Sequence, residues 1–159
     1  MAYRIQQISD YGTANPIVAR LSLQTKELLQ FYNLSDKQEE RIFGLMFSSI
    51  QPRLMTCFQI MEQLKKEVKA HQKRIDEVGL EFQAHGKAYT LPSILDLQFR
   101  VETFLYNGKS ALRDLTGIFL ILFSKDFQKE ARFDKVLKWA RKEFGNEDSL
   151  TKMLEDDQE

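Results

Sequence analysis

The chain has 159 residues, a formal net charge of zero, 43% hydrophobic and 29% charged residues, and a single cysteine. A domain of this size buries roughly 68–70% of its unfolded surface, so its core needs neither a disulfide nor a metal. The neutral balance excludes an overall field drawing the chain to nucleic acid or membrane, and seven Gly with three Pro leave few places to turn, which favours long helices over many short strands.

Residues 1–15 show no clear period and read as an irregular lead-in to a helical bundle domain over 16–145, with a short helix and an acidic tail over 146–159. The opening MAYRIQQISDYG lacks the basic-then-apolar order of a signal peptide. Cys57 has no second cysteine to pair with, which suits a reducing compartment, so the expected location is the cytoplasm. The first helix is predicted from Asn15 as N-cap and Pro16 at the first helical position, with Ile17, Leu21, Leu28 and Tyr32 on one face. Ser35 with Gln38, or Asp36 with Glu39, offers a capping box for the second helix. Its apolar seam then steps by threes and fours through Phe43, Phe47, Ile50, Leu54, Cys57, Met61, Leu64, Val68, His71, Ile75 and Val78. Pro52 interrupts that seam without changing its phase, which predicts one long helix kinked or briefly broken there.

Gly79–Thr90 loses the period and is the main loop. Pro92 is expected to open a third helix whose seam runs Ile94, Leu97, Val101, Phe104, Gly108, Ala111, Leu115, Ile118 and Leu122. Taken from Leu91 to Phe123, this helix would span about 50 Å. Gly108 and Ala111 leave a shallow spot in the seam where a neighbouring helix could approach closely. Phe133, Leu137, Ala140 and Phe144 mark a further amphipathic helix stopped by Gly145, and a short helical piece surrounds Leu150–Leu154. The fold class is therefore all-α: a single-domain antiparallel, up-and-down bundle with two long central helices. The longest apolar run, Ile118–Phe123, falls far short of the roughly 18 residues of a spanning helix, so no membrane role is expected.

Charge is unevenly spread. Lys65–Arg74 carries five basic residues against one acid and Lys125–Lys142 seven against three, whereas 143–159 carries seven acids against one Lys. This is either the solvated outside of helices or a basic face with an acidic tail. The third helix also bears a second apolar stripe, Leu95, Phe99, Tyr106 and Leu120, away from its main seam and in line with Arg113. A helix apolar on two faces must be covered twice, by layers of its own fold or by a second copy, so the stripe is an expected homodimer interface with a central helix of a monomeric bundle as the alternative. Asp96 and Arg100 are spaced as a routine helix pair, and Asp114, next to Arg113, points about 100° away from it.

The segment FRVETFLYNGKSALRDL, within the core from about Asp36 to Phe144, resembles the HEPN superfamily of small helical bundles, many of which dimerise and act as ribonucleases. That family's catalytic motif is an Arg, a polar residue, and a His one to two helical turns further on. Arg113 and Asp114 match the first two positions, while Ile118, Phe119 and Leu120 stand where the His should fall. Metal-independent RNA cleavage needs a group titrating near neutral pH, and an arginine cannot serve as base. The only histidines are His71 and His85, which could join Arg113 only through tertiary or intersubunit folding. The resemblance implies a non-catalytic binding or regulatory subunit of a toxin–antitoxin, phage-defence or RNA-processing system, with a toxin, antitoxin or nucleotidyltransferase as protein partner and RNA as a further possible ligand. Arg113, Asn107 and Lys109 are the candidate ligand-binding residues. The alternatives are an active ribonuclease using His71 or His85, and a helical adaptor unrelated to the family. No cofactor or metal is expected: Glu67 and His71 alone make a poor metal site, no paired Glu-x-x-His pattern and no Gly-rich phosphate loop is present, Cys57 reads as a core thiol, and Met46, Met55 and Met61 as core filler.

Overall fold

A computed structural model describes residues 12, 14–79, 81–82, 89–90, 93–129 and 133–156. Most of the predicted lead-in, Pro92 and His85 lie outside the described residues. Within them the chain is an all-α antiparallel bundle of five helices: α1 over residues 16–29, α2 over 36–78, α3 over 97–123, α4 over Phe133–Phe144 and α5 over Ser149–Asp156. The interhelical loop contains a two-residue antiparallel pairing, Glu81 opposite Thr90 and Phe82 opposite Tyr89.

Local chemistry sets most helix ends. The Asn15 side chain accepts from the Ile17 N–H at 2.9 Å, and Pro16 comes directly after it. Ser35 and Gln38 form the capping box that opens α2, the Ser35 N–H donating to Gln38 Oε1 at 3.1 Å. Gly145, at φ 88°, ends α4 with its N–H on the Arg141 carbonyl.

Three expectations need correction. First, α2 is the one long helix expected, and of the kink or brief break foreseen at Pro52 the break does not occur. Leu45–Ile50 winds as a π-helix, so the Gln51 N–H bonds back five residues to Met46, and the widened turn absorbs a residue that lacks its own N–H. A second π-helical stretch, Ala19–Gln24, rotates α1. Its buried residues are Val18 and Leu29, while Leu28 and Tyr32, predicted for the inner face, are exposed. Second, α3 begins at Leu97 rather than near Pro92, because Asp96 adopts a left-handed conformation (φ 55°, ψ 27°) that no α-helix can pass through. Its length is accordingly about 40 Å. Third, Gly108 faces open space, and the tight contact along α3 is at Gly117, where an added Cβ would sit 2.6 Å from the Gln128 side chain rather than from a neighbouring helix.

The two long helices run antiparallel. Cross-contacts descend α3 as they climb α2: Gln38 Nε2 donates to the Ile121 carbonyl, Ser49 and Arg53 meet Asp114, Cys57 meets Phe104, and Glu67 meets Arg100. The core sits at one end of this pair. Phe119, Val136, Leu137, Ala140 and Leu154 bury each other, with Phe127 and Trp139 edge-on or tilted against Phe119 and each other at centroid distances of 5.6–5.9 Å. Ile42, Ile50, Met55, Cys57 and Ala111 continue it toward α1. Beyond Cys57 on α2, and before Ser110 on α3, no described side chain is fully buried. That half of the hairpin is a two-helix arm over which no other described helix is laid.

Candidate functional site

The Arg113–Asp114 pair lies where the arm meets the core. Asp114 projects from α3 toward α2 and is buried, while its neighbour turns outward with its side chain 45% exposed. Asp114 Oδ2 accepts from Ser49 Oγ at 2.6 Å and from Arg53 Nε at 3.0 Å, and Oδ1 accepts from Arg113 Nε and Nη2 at 3.4 Å each. Burial alone would push the carboxyl up, but the Ser49 hydrogen bond, the Arg53 charge and the guanidinium bonds outweigh it and hold Asp114 below the ordinary aspartate range. It is a fixed carboxylate with both oxygens occupied, suited to locking α3 onto α2 and unsuited to delivering a proton at neutral pH.

Arg113 spends two donors on long contacts to Asp114, which leaves most of its fork available to a ligand. Lys109, one turn earlier, shares its exposed side of the helix. Asn107 does not join them. It lies about 120° from Arg113 and about 160° from Lys109 around α3, half-buried, with Nδ2 turned back onto the Thr103 carbonyl at 2.9 Å.

The histidines are not brought to this place within the chain. His71 is half-buried on α2 about 27 Å of helix beyond Arg53, and His85 lies outside the described residues. Of the three positions where the resemblance calls for a His, Phe119 is buried in the aromatic cluster, and Ile118 and Leu120 are half-buried. Sequence reading missed Ser49 and Arg53. Their signal is a polar pair four residues apart among Met46, Phe47, Ile50 and Leu54, on the face turned to α3.

Elsewhere, Arg100 reaches across to Glu67 at 2.7 Å rather than back to Asp96, whose left-handed turn lies outside α3, and Glu67 is thereby taken from His71. Among the described residues no three His, Cys, Asp or Glu side chains converge as metal ligands, and no helix is long and apolar enough to cross a membrane. Cys57 donates its Sγ hydrogen to the Phe104 carbonyl at 3.4 Å, and burial pushes its thiol up, away from nucleophilic use.

The arm supplies a second feature. Leu95, Phe99 and Tyr106 are 74, 69 and 66% exposed, whereas Leu120 is half-buried, in a depression it shares with Leu45 and Gly117. Between α2 and α3 runs an open apolar groove of about 490 Å³, lined by Met61, Leu64, Val68, Val101, Phe104 and Leu105 and rimmed by Lys65 and Lys69. Among the described residues the arm therefore carries a broad exposed apolar surface. No protein-family model matches the chain, and neither a curated protein nor a solved structure matches it.

Proposed function

We propose that the chain is a non-catalytic binding or regulatory subunit of the HEPN-like type, working as a homodimer through the outer stripe of α3 in a toxin–antitoxin, phage-defence or RNA-processing setting. The observation that carries this reading is the state of Asp114. Two of the motif's positions are spent within the fold: Asp114 is clamped by Ser49 and Arg53, and Phe119 fills the core where an imidazole would stand. Arg113 keeps the ability to grip an anion but has no described proton carrier beside it in the same chain. The exposed Leu95, Phe99 and Tyr106 supply the apolar contact that a binding subunit needs.

Two measurements test the reading. Incubated with RNA, the pure protein should show no cleavage that depends on Arg113, His71 or His85. Cutting by wild type that is lost in folded Arg113→Ala, His71→Ala or His85→Ala would make it a ribonuclease. In light scattering the wild type should run as a dimer, and Phe99→Glu with Tyr106→Glu should shift the mass toward monomer. Each side chain contributes about 1.5–3 kcal/mol of burial before the costs of association.

A further inference from the structure

Among the described residues, none covers the outer side of α3 in the arm. Arg100 and the Phe104 carbonyl mark the side that faces α2 through their contacts to Glu67 and Cys57. At 3.6 residues per turn, Glu102 and Lys109 fall roughly 160–180° from Arg100, on the opposite side, and both are exposed, while Leu105, about 140° away, joins this side to the edge of the groove. This outward line is not a uniform apolar strip. Along it the acid comes first and the bases come after: Glu102 in the N-terminal half, Lys109 and Arg113 in the C-terminal half. Leu105 lies between them, and Phe99, Tyr106 and Leu112 flank them.

Such a line is complementary to itself in one direction only. Laid parallel to its own copy, it would set Glu102 against Glu102 and Lys109 against Lys109. Turned about a two-fold axis, it sets Glu102 against Lys109 twice. That register also sets Tyr106 beside Tyr106 of the other copy and Phe99 beside its Arg113. Antiparallel helix dipoles favour the same arrangement. Within its own chain Glu102 accepts only from Gln98, at 2.9 Å, and among the described residues Lys109 has no carboxylate within ion-pair distance, so both charges are at hand.

Resting on the homodimer reading above, we infer that the partner on this surface is a second copy of the chain, docked antiparallel along α3 with Glu102 of each copy paired to Lys109 of the other. The two arms then form a four-helix layer that gives each α3 the second cover it lacks. This assigns Lys109 to the interface rather than to a phosphate.

Sedimentation equilibrium of the full chain, compared among wild type, Glu102→Lys, Lys109→Glu and the double reversal, tests the register. Both positions are exposed, so all four proteins should fold, which thermal melts verify. Because symmetry counts each reversal twice, either single change should raise the dimer dissociation constant about tenfold or more, and the double reversal should return it to within about threefold of wild type. A wild-type dimer unaffected by the single reversals, or a double no tighter than the singles, would overturn the register and leave the homodimer reading intact. The same holds if Lys109→Glu abolishes RNA binding without touching the dimer. A wild type that is monomeric throughout overturns both.

Discussion

Removing the Asp114 carboxylate should loosen the join between α2 and α3 by an amount the geometry bounds. Its side chain is 13% exposed and that of Arg53 27%, so the pair sits in a partly dry site but is not sealed. Hydrogen bonds to charged groups contribute about 1.5–3 kcal/mol. The two contacts at 2.6 and 3.0 Å are well formed, while those from Arg113 at 3.4 Å add little. Asp114→Ala leaves Arg53 and Ser49 without their acceptor, and residual solvation of Arg53 keeps the loss below that of a fully buried pair, at about 2–3 kcal/mol. For a chain of this length the melting temperature then falls by about 4–12 °C. Asp114→Asn keeps the shape and one acceptor but loses the charge, and should lie about halfway. The pH dependence has a definite sign. The folded carboxyl titrates below its unfolded value, so its contribution is complete above the unfolded pKa of about 4 and is lost as pH falls through the folded value. Melts monitored by circular dichroism should therefore show wild type above Asp114→Asn at pH 7, with the gap closing in acid. An Asn variant melting within about 1 °C of wild type at neutral pH, or a gap that persists unchanged in acid, would refute this account of the site.

The Cys57 thiol, buried and bonded to the Phe104 carbonyl, should react with a disulfide reagent far more slowly in the folded protein than in denaturant; equal rates would mean that the join at Cys57 opens readily. Leu137→Ala, at 6% exposure in the aromatic core, should cost about 2–5 kcal/mol in chemical denaturation, and a loss under about 1 kcal/mol would place the main core elsewhere.

The features legible in the sequence were those set by neighbours along the chain. Asn15 before Pro16, Ser35 with Gln38, and Gly145 after Phe144 each act within a few residues, and each marks a helix end in the structure. The apolar spacing of α3 through Ala111, Leu115 and Ile118 placed the two long helices against each other. Two features escaped because periodicity assumes a uniform helix: the π-helical turns at Ala19–Gln24 and Leu45–Ile50 each admit an extra residue and rotate the helix beyond them. Asp96 escaped because nothing in its composition demands a left-handed backbone. At the candidate site, the outward turn of Arg113 came from its position around the helix, but the partner of Asp114 did not. Ser49 and Arg53 are 65 and 61 residues away in sequence, and only the packing of α2 on α3 brings them there.

The unbroken passage of α2 through Pro52 has a mechanical consequence. One rod about 64 Å long belongs both to the core and to the arm. Gln51, held by Ser22 Oγ, and Arg53, held by Asp114, pin it near its middle. Roughly 37 Å of helix extends from Arg53 to Val78, so a tilt of about 5° at the pins moves the far end by about 3 Å. Cys57 on Phe104 and Glu67 on Arg100 fasten its outer part to α3, so the two helices would tilt together, as one lever turning at these polar side chains. Small changes of packing at the join would reappear magnified at the far end of the arm.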